Sequence, residues 1–223
     1  KKSKNNFVCC ISPDVEIPTS CFSEILNLIH HFDDFTILAP TYFDEKIYKN
    51  YRSYRDNLNQ KIKKIQNYNL IEVDEIDFAS VIINKSKIDS HEIMDENFFL
   101  YFECIDTCLR LRNQGKKFYV VDNLKFTHYG TQSSLPSMKF DIQINRNWHY
   151  CWSKFYFLKK HHGYLYGVRK TLPNLIRSLK KSFVYFLKND RENLKLHKAE
   201  LSGLINSYFL RKPFYRPHKN KDI

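Results

Sequence analysis

Residues 95–134 read Asp95-ENFFLYFECIDTCLRLRNQGKKFYVVDNLKFTHYGTQS-Ser134. Two acidic side chains, Glu103 and Asp106, sit three apart in an aromatic-rich run. The run predicts a helix over Phe98 to Asn113, ended by Gly115, because glycine accepts the left-handed geometry of a helix stop. Strand material follows at Phe118 to Val121 and Leu124 to His128, then His128-Tyr129-Gly130. Residues three apart share a helix face. The carboxylate pair can therefore point at one spot, with His128 from the next strand nearby. Such a layout suits proton abstraction beside a bound substrate. Asp106 and Arg110 also stand four apart, which equally fits an ordinary surface ion pair.

Outward from this block, Phe7 to Ile11 reads as a strand feeding a turn at Ser12-Pro13. Pro18-Thr19-Ser20 starts a helix carrying Phe22, Ile25, Leu26 and Ile29 at helical spacing. Thr36 to Ala39 is a second strand, expected to stop at Pro40. Tyr42 to Asn69 is polar and tyrosine-rich and reads as a loop or hairpin excursion. Val73 to Ile83 reads as one strand, with Ala79-Ser80 small enough to let a ligand approach. Asp89 to Asn97 is an acidic loop, and Thr131 to Met138 a Ser/Pro loop. Helices are expected over Ile144 to His161, over Tyr164 to Leu187 with a kink or restart at Pro173, and over Asn193 to Phe209. Arg211 to His218 is expected as an exposed tail. Alternating strands and helices imply an α/β layered sheet with a helical C-terminal appendage. Ligands of that class gather at the carboxyl ends of strands, where Asp14, Ala79 and His128 all fall.

Composition narrows the chemistry. The 223 residues carry a formal charge of +12 and only 5 glycines. Neither a G-x-G-x-x-G nor a Walker loop occurs, so any diphosphate must be held by a metal and side chains. Between Lys139 and Lys188 there are 11 Lys or Arg and a single acid, Asp141. Trp148, Tyr150, Trp152, Phe155, Tyr156, Phe157, Tyr164 and Tyr166 are interleaved with them. A basic, aromatic helical region points to an anionic membrane surface. It is favoured over nucleic acid, for which no motif appears. The alternative is a basic helical face that only shields the core. The six cysteines, Cys9, Cys10, Cys21, Cys104, Cys108 and Cys151, form no C-x-x-C pair. They read as reduced core residues of a cytosolic protein. No apolar run approaches the roughly 20 residues of a spanning helix, so a cytoplasmic chain, peripheral on the inner face of a membrane, is expected.

The 95–134 block resembles the acceptor-side signature of family-2 glycosyltransferases, in particular their rhamnosyltransferase-like branch. That signature reads F-D-E-x-F-F-L-Y-F-E-D-x-D-L-C-L-R, then Gly, a strand and H-x-G-x-S-S. Asp95, Glu96, Phe98 to Glu103, Asp106, Cys108, Leu109 and Arg110 match it, as do Gly115, His128, Gly130, Ser133 and Ser134. Upstream, Val8-CCISPDVEI-Pro18 resembles the strand and N-P-D-V-E-x-P segment that holds the family's metal and sugar-nucleotide motif. Ile37-Leu-Ala-Pro40 resembles the strand after it. The likeness covers about residues 7 to 134, with a looser one in the tail.

The resemblance implies an incomplete GT-A (Rossmann-like) mixed sheet over residues 1–138, followed by a basic aromatic helical region over 139–223. It implies an inverting transfer from a nucleotide-sugar donor to a saccharide or lipid-linked acceptor in surface polysaccharide synthesis. Asp106 is then the base, with Glu103 as acceptor ligand or alternate base and Arg110 orienting the carboxylates. Asp14 holds metal and diphosphate, Glu16 helps with the metal, and His128 contacts metal or diphosphate or is simply a satisfied strand-end histidine. Oxygen ligands suit Mg²⁺ or Mn²⁺. Two positions depart from the pattern. Cys104 replaces the carboxylate after the Glu, and a thiol with a pKa near about 8.5 is a poor base. Ser12 replaces the first acid or amide of the metal motif. Family members also carry the nucleotide-base pocket before the strand at Phe7, so the chain reads as the C-terminal part of a larger enzyme. An inactive relative, or a basic membrane- or polyanion-binding module, are the other expectations.

Overall fold

In a computed structural model the described residues are 5–44, 46–54, 62–88, 93–130 and 136–216. Thr131, Ser133 and Ser134, residues 89–92 of the expected acidic loop and His218 lie outside them. The chain divides into two compact units, 1–94 with 104–133, and 95–103 with 134–223. The aromatic segment 95–103 thus groups with the C-terminal helices, although the sequence puts it in the sheet domain.

The first unit is a mixed sheet with helices on its faces. Its strands are β1 (Phe7–Ile11), β2 (Val15–Glu16), β3 (Ile37–Asp44), β4 (Lys46–Tyr48), β5 (Tyr51–Arg52), β6 (Ile62–Ile65), β7 (Tyr68–Val73), β8 (Glu75–Ile76), β9 (Ser80–Asn84) and β10 (Phe118–His128). Helix α1 spans Thr19–His31 and α2 spans Glu103–Asn113. The sheet order is β1-β9-β3-β10-β7-β6, with β2 against β10 and β4 against β3, while β5 pairs β8 separately. β3 and β10 are parallel, and β1 shares their direction because each of β1 and β3 is antiparallel to β9. Side chains alternate between faces along each strand. Leu38, Ile82, Tyr119 and Val121 pack with Cys21 and Leu28 of α1. Ile37, Ala39, Val81, Ile83, Phe118 and Val120 pack with Cys108 and Leu111 of α2.

Several expected boundaries move. β3 runs through Pro40 to Asp44. Opposite it, β10 pairs Val121 with Pro40 and then shifts register so that Lys125 meets Thr41. Pro40 has no N–H to donate, and a proline inside a sheet is accommodated at such an irregularity. The strand material expected at Phe118 to Val121 and Leu124 to His128 forms one strand, β10. Tyr42 to Asn69 contains β4, β5, β6 and the start of β7, and Val73 to Ile83 is broken into β8 and β9. Cys9 is exposed on β1, not a core residue, whereas Cys21, Cys108 and Cys151 are buried. Burial pushes the Cys108 and Cys151 thiols up to about 12. α2 ends as expected: Gly115 adopts φ 74, and the Gly115 and Lys116 amides donate to the Arg112 and Leu111 carbonyls.

The helix does not begin at Phe98. Tyr101 and Phe102 hold φ 66 and 68, and α2 starts at Glu103. Left-handed backbone at two successive aromatics is costly. Ring packing against the second unit's first helix compensates: Tyr101 meets Tyr150, and Phe102 meets Tyr150 and Phe157.

The second unit is built on α3 (Lys139–His162), α4 (Tyr164–Leu187) and α5 (Arg191–Tyr208). α4 passes Pro173 without a break. Its core joins Trp148, Trp152, Ala199 and Tyr215, beside Cys151, Phe155 and Leu204. Of the tail expected over Arg211 to His218, the described part is not free, since Tyr215 is buried and stacks on Trp148. No described helix is long and apolar enough to cross a membrane.

Candidate functional site

The first unit gathers Asp14, Glu16, His128 and Tyr129 at one corner. β1 ends at Ile11, and the turn after it is held by the Ser12 amide donating to Ala79 and the Val15 amide donating to Ser12. β2 then pairs with the last residues of β10, His128 facing Val15 and Thr127 facing Glu16. The Tyr129 amide donates to the Asp14 carbonyl at 3.0 Å. Asp14 and His128 thus stand at the carboxyl ends of two strands that run the same way, where ligands collect in open α/β sheets.

His128 Nε2 lies 3.6 Å from Asp14 Oδ1, with 17 % and 13 % of the two side chains exposed. The Tyr42 ring meets the imidazole edge-on at 5.3 Å between centroids. Tyr42 is itself fixed by donating to the Ser80 carbonyl at 3.1 Å. The Tyr129 hydroxyl donates to Glu16. Glu16 is therefore engaged by the tyrosine, and Asp14 and His128 stand as a separate pair. Among the described residues no three His, Cys, Asp or Glu side chains converge as a metal cluster. The Asp14 carboxylate still fits a hard cation, because Mg²⁺ is bound through one or two carboxylates and fills the rest of its shell with water and phosphate.

Asp106 is fully buried in α2, not at the surface. Arg110 Nε donates to its Oδ2 at 2.8 Å, and the same guanidinium donates to the Ile93 carbonyl at 2.6 Å. The i,i+4 pair is thus a buried clamp that ties α2 to the segment before it. Glu103 is the first residue of α2, and there the chain passes from the helical unit to the sheet unit. Cys104 is half-buried on the first turn of α2.

The helical unit contributes features that the sequence pattern did not single out. Asp95 accepts from Tyr156 at 3.0 Å and Lys160 at 2.8 Å. Burial works against its charge. The Lys160 ammonium and the Asn97 donors outweigh burial and hold its pKa down at about 2. A cavity of about 360 Å³ opens in the same unit. Gln143, Arg146, Asn147 and Tyr150 line it from one face of α3, with Tyr101, Asn174, Arg177 and Glu200 opposite. The i, i+3, i+4, i+7 spacing of the α3 residues was visible in the sequence; that it faces a cavity was not. No family model matches the chain, and no curated protein matches it.

Proposed function

We propose that the protein is an inverting glycosyltransferase of the GT-A type, acting from a nucleotide-sugar donor on a saccharide or lipid-linked acceptor. The observation that carries this reading is the Asp14–His128 pair at the carboxyl ends of parallel strands. The resemblance of the sequence from Asp95 to Ser134 to family-2 enzymes supports it. In the reaction an acceptor hydroxyl oxygen attacks the anomeric carbon, the bond from that carbon to the donor phosphate breaks, and the hydroxyl proton passes to a carboxylate. Asp106 is the first choice for that base and Glu103 the second. Asp14, with His128, would hold a divalent cation, which neutralises charge on the departing diphosphate. Glu16 and Tyr129 shape the rim.

The test is product formation from UDP-, dTDP- and GDP-sugars with Mn²⁺, using the protein expressed from its complete reading frame. Asp14→Asn should abolish transfer and weaken binding of nucleoside diphosphate. Transfer that is indifferent to Asp14→Asn defeats the reading. One observation favours a second reading, an inactive relative. Cys104 takes the place of a carboxylate, and Asp106 is enclosed and paired with Arg110. In that case the natural chain makes no product and Cys104→Asp restores it.

A further inference from the structure

Helix α4 is built inside out. The residues it buries are small or hydroxylated: Gly167, Thr171, Ser178 and Ser182. Each reason is local. Gly167 lies where a Cβ would meet the Phe155 ring. Thr171 donates to the Gly167 carbonyl and meets the Tyr208 hydroxyl at 2.8 Å. Ser178 donates to Glu200 at 2.5 Å. The large apolar residues of α4 face the other way. Leu165, Leu172, Ile176, Leu179, Phe183, Phe186 and Leu187 are between 42 % and 82 % exposed. At about 100° per residue they fall within an arc of roughly 100°, a single stripe along the whole helix.

Two more exposed apolar residues lie near the start of the helix. Tyr164 donates to the Tyr208 carbonyl at 3.2 Å, which brings the end of α5 beside the start of α4. The next two residues, Phe209 and Leu210, are also well exposed. An apolar stripe of this length is outside what single surface hydrophobes explain and marks an interaction face.

Charge decides what covers it. From Tyr164 to Lys188 there are six basic residues, Arg169, Lys170, Arg177, Lys180, Lys181 and Lys188, and no acid. On the same helical wheel all six lie on one flank of the stripe. A second copy of the chain packed stripe to stripe would bring like charges together with no acid on α4 to answer them. An anionic bilayer answers both features at once. Apolar side chains enter the acyl boundary, and long basic side chains reach up to the phosphates. The helix is not apolar enough to cross, so it lies in the plane of the interface.

We infer that the outward face of α4, with Phe209 and Leu210, is a membrane-docking surface selective for anionic lipid. This inference does not depend on the transfer reaction. It names the stripe on α4, not the basic region as a whole, as the contact.

The experiment is co-sedimentation of the full chain with vesicles of phosphatidylcholine alone, or of phosphatidylcholine mixed with phosphatidylglycerol. Binding is expected only to the mixed vesicles, and it should weaken as salt shortens the Debye length. Leu179→Ser combined with Phe183→Ser and Phe186→Ser changes only exposed positions, so circular dichroism should not change. It should weaken vesicle binding on the order of tenfold or more. Lys180→Gln with Lys181→Gln should weaken binding to the mixed vesicles and reduce its salt dependence. Equal binding to both vesicle types, or binding untouched by the triple change, overturns the inference. So does failure to bind either vesicle, and a dimer by light scattering that the triple change dissociates would then assign the stripe to a second copy.

Discussion

The Asp106 carboxylate accepts a hydrogen bond from Arg110 Nε at 2.8 Å, with none of the aspartate exposed. The guanidinium also holds the Ile93 carbonyl, so Arg110 bridges α2 and the residues before it. A base in this position must be uncovered to reach the acceptor hydroxyl. A purely structural Asp106 need not be. The two roles predict different kinetics for the same substitutions.

Asp106→Asn keeps the shape and one hydrogen-bond acceptor while removing the basicity. If Asp106 is the base, kcat should fall on the order of a hundredfold or more with KM little changed. Stability should fall by about 1–3 kcal/mol, since a charge-assisted bond is replaced by a neutral one. Glu103→Gln should be the milder change. If Glu103→Gln removes kcat and Asp106→Asn lowers only the melting temperature, Glu103 is the base and Asp106 is the clamp.

How much of this was legible depends on whether local chemistry or distant packing decided the element. The Gly115 stop was legible because only a left-handed residue closes α2 there. The long helices α3 to α5 were legible to within a few residues from their periodicity. The start of α2 was not, because nothing in Tyr101 or Phe102 themselves marks a left-handed backbone. Their left-handed backbone is imposed by Tyr150 and Phe157 about fifty residues away. Pro40 misled for the opposite reason. Proline usually ends a strand, but here β10 changes register beside it. That Asp14 and His128 share one strand-end corner was legible from their places after strands, but the pairing of β2 with the end of β10 that joins them was not, because no pattern marks those two residues as a strand. That Asp106 is buried follows from the face α2 turns to the sheet, where Cys108 and Leu111 are buried beside it.

Acid should loosen the helical unit in two separable steps. His149 is fully buried beside the Tyr215 carbonyl. Burial pushes its pKa down to about 4 from 6.5. The nearby Arg216 charge acts in the same direction, and the Tyr215 carbonyl works against both. The unfolded chain therefore takes up a proton below pH 6.5 that the folded chain refuses until about pH 4, and stability is lost across that window. Asp95 acts lower. Its folded pKa of about 2 lies below the ordinary 3.8. Its contribution is complete above 3.8 and is lost as pH falls through about 2. Both tryptophans, Trp148 and Trp152, lie in this unit, so their fluorescence in urea titrations reports it selectively. His149→Gln should flatten the loss between pH 6.5 and 4 and leave the lower step. Asp95→Asn should do the reverse. A single step unaffected by either change would show that other groups govern the acid response.

Gly203 permits the close approach of α5 to α3. A Cβ built on it falls inside contact distance of the Trp148 carbonyl oxygen and close to the Trp148 Cα, all backbone atoms. Alanine in place of glycine within a helix ordinarily adds up to about 1 kcal/mol of stability. Here the added methyl meets main chain that cannot rotate away, and overpacking of this kind costs roughly 1–3 kcal/mol. The two helices must part, which strains the hydrogen bond from Trp148 Nε1 to Ser202 at 3.1 Å and that from Ser207 to the Trp152 carbonyl at 3.0 Å. Gly203→Ala should therefore lower the melting temperature and shift the tryptophan emission to the red. Gly167→Ala is the comparison, because the two atoms nearest its Cβ belong to the Phe155 ring and the Lys159 main-chain nitrogen lies farther off, at 3.2 Å. It should cost less. If Gly203→Ala raises the melting temperature, helix propensity outweighs contact at this crossing, and α3 and α5 do not pack backbone to backbone in solution.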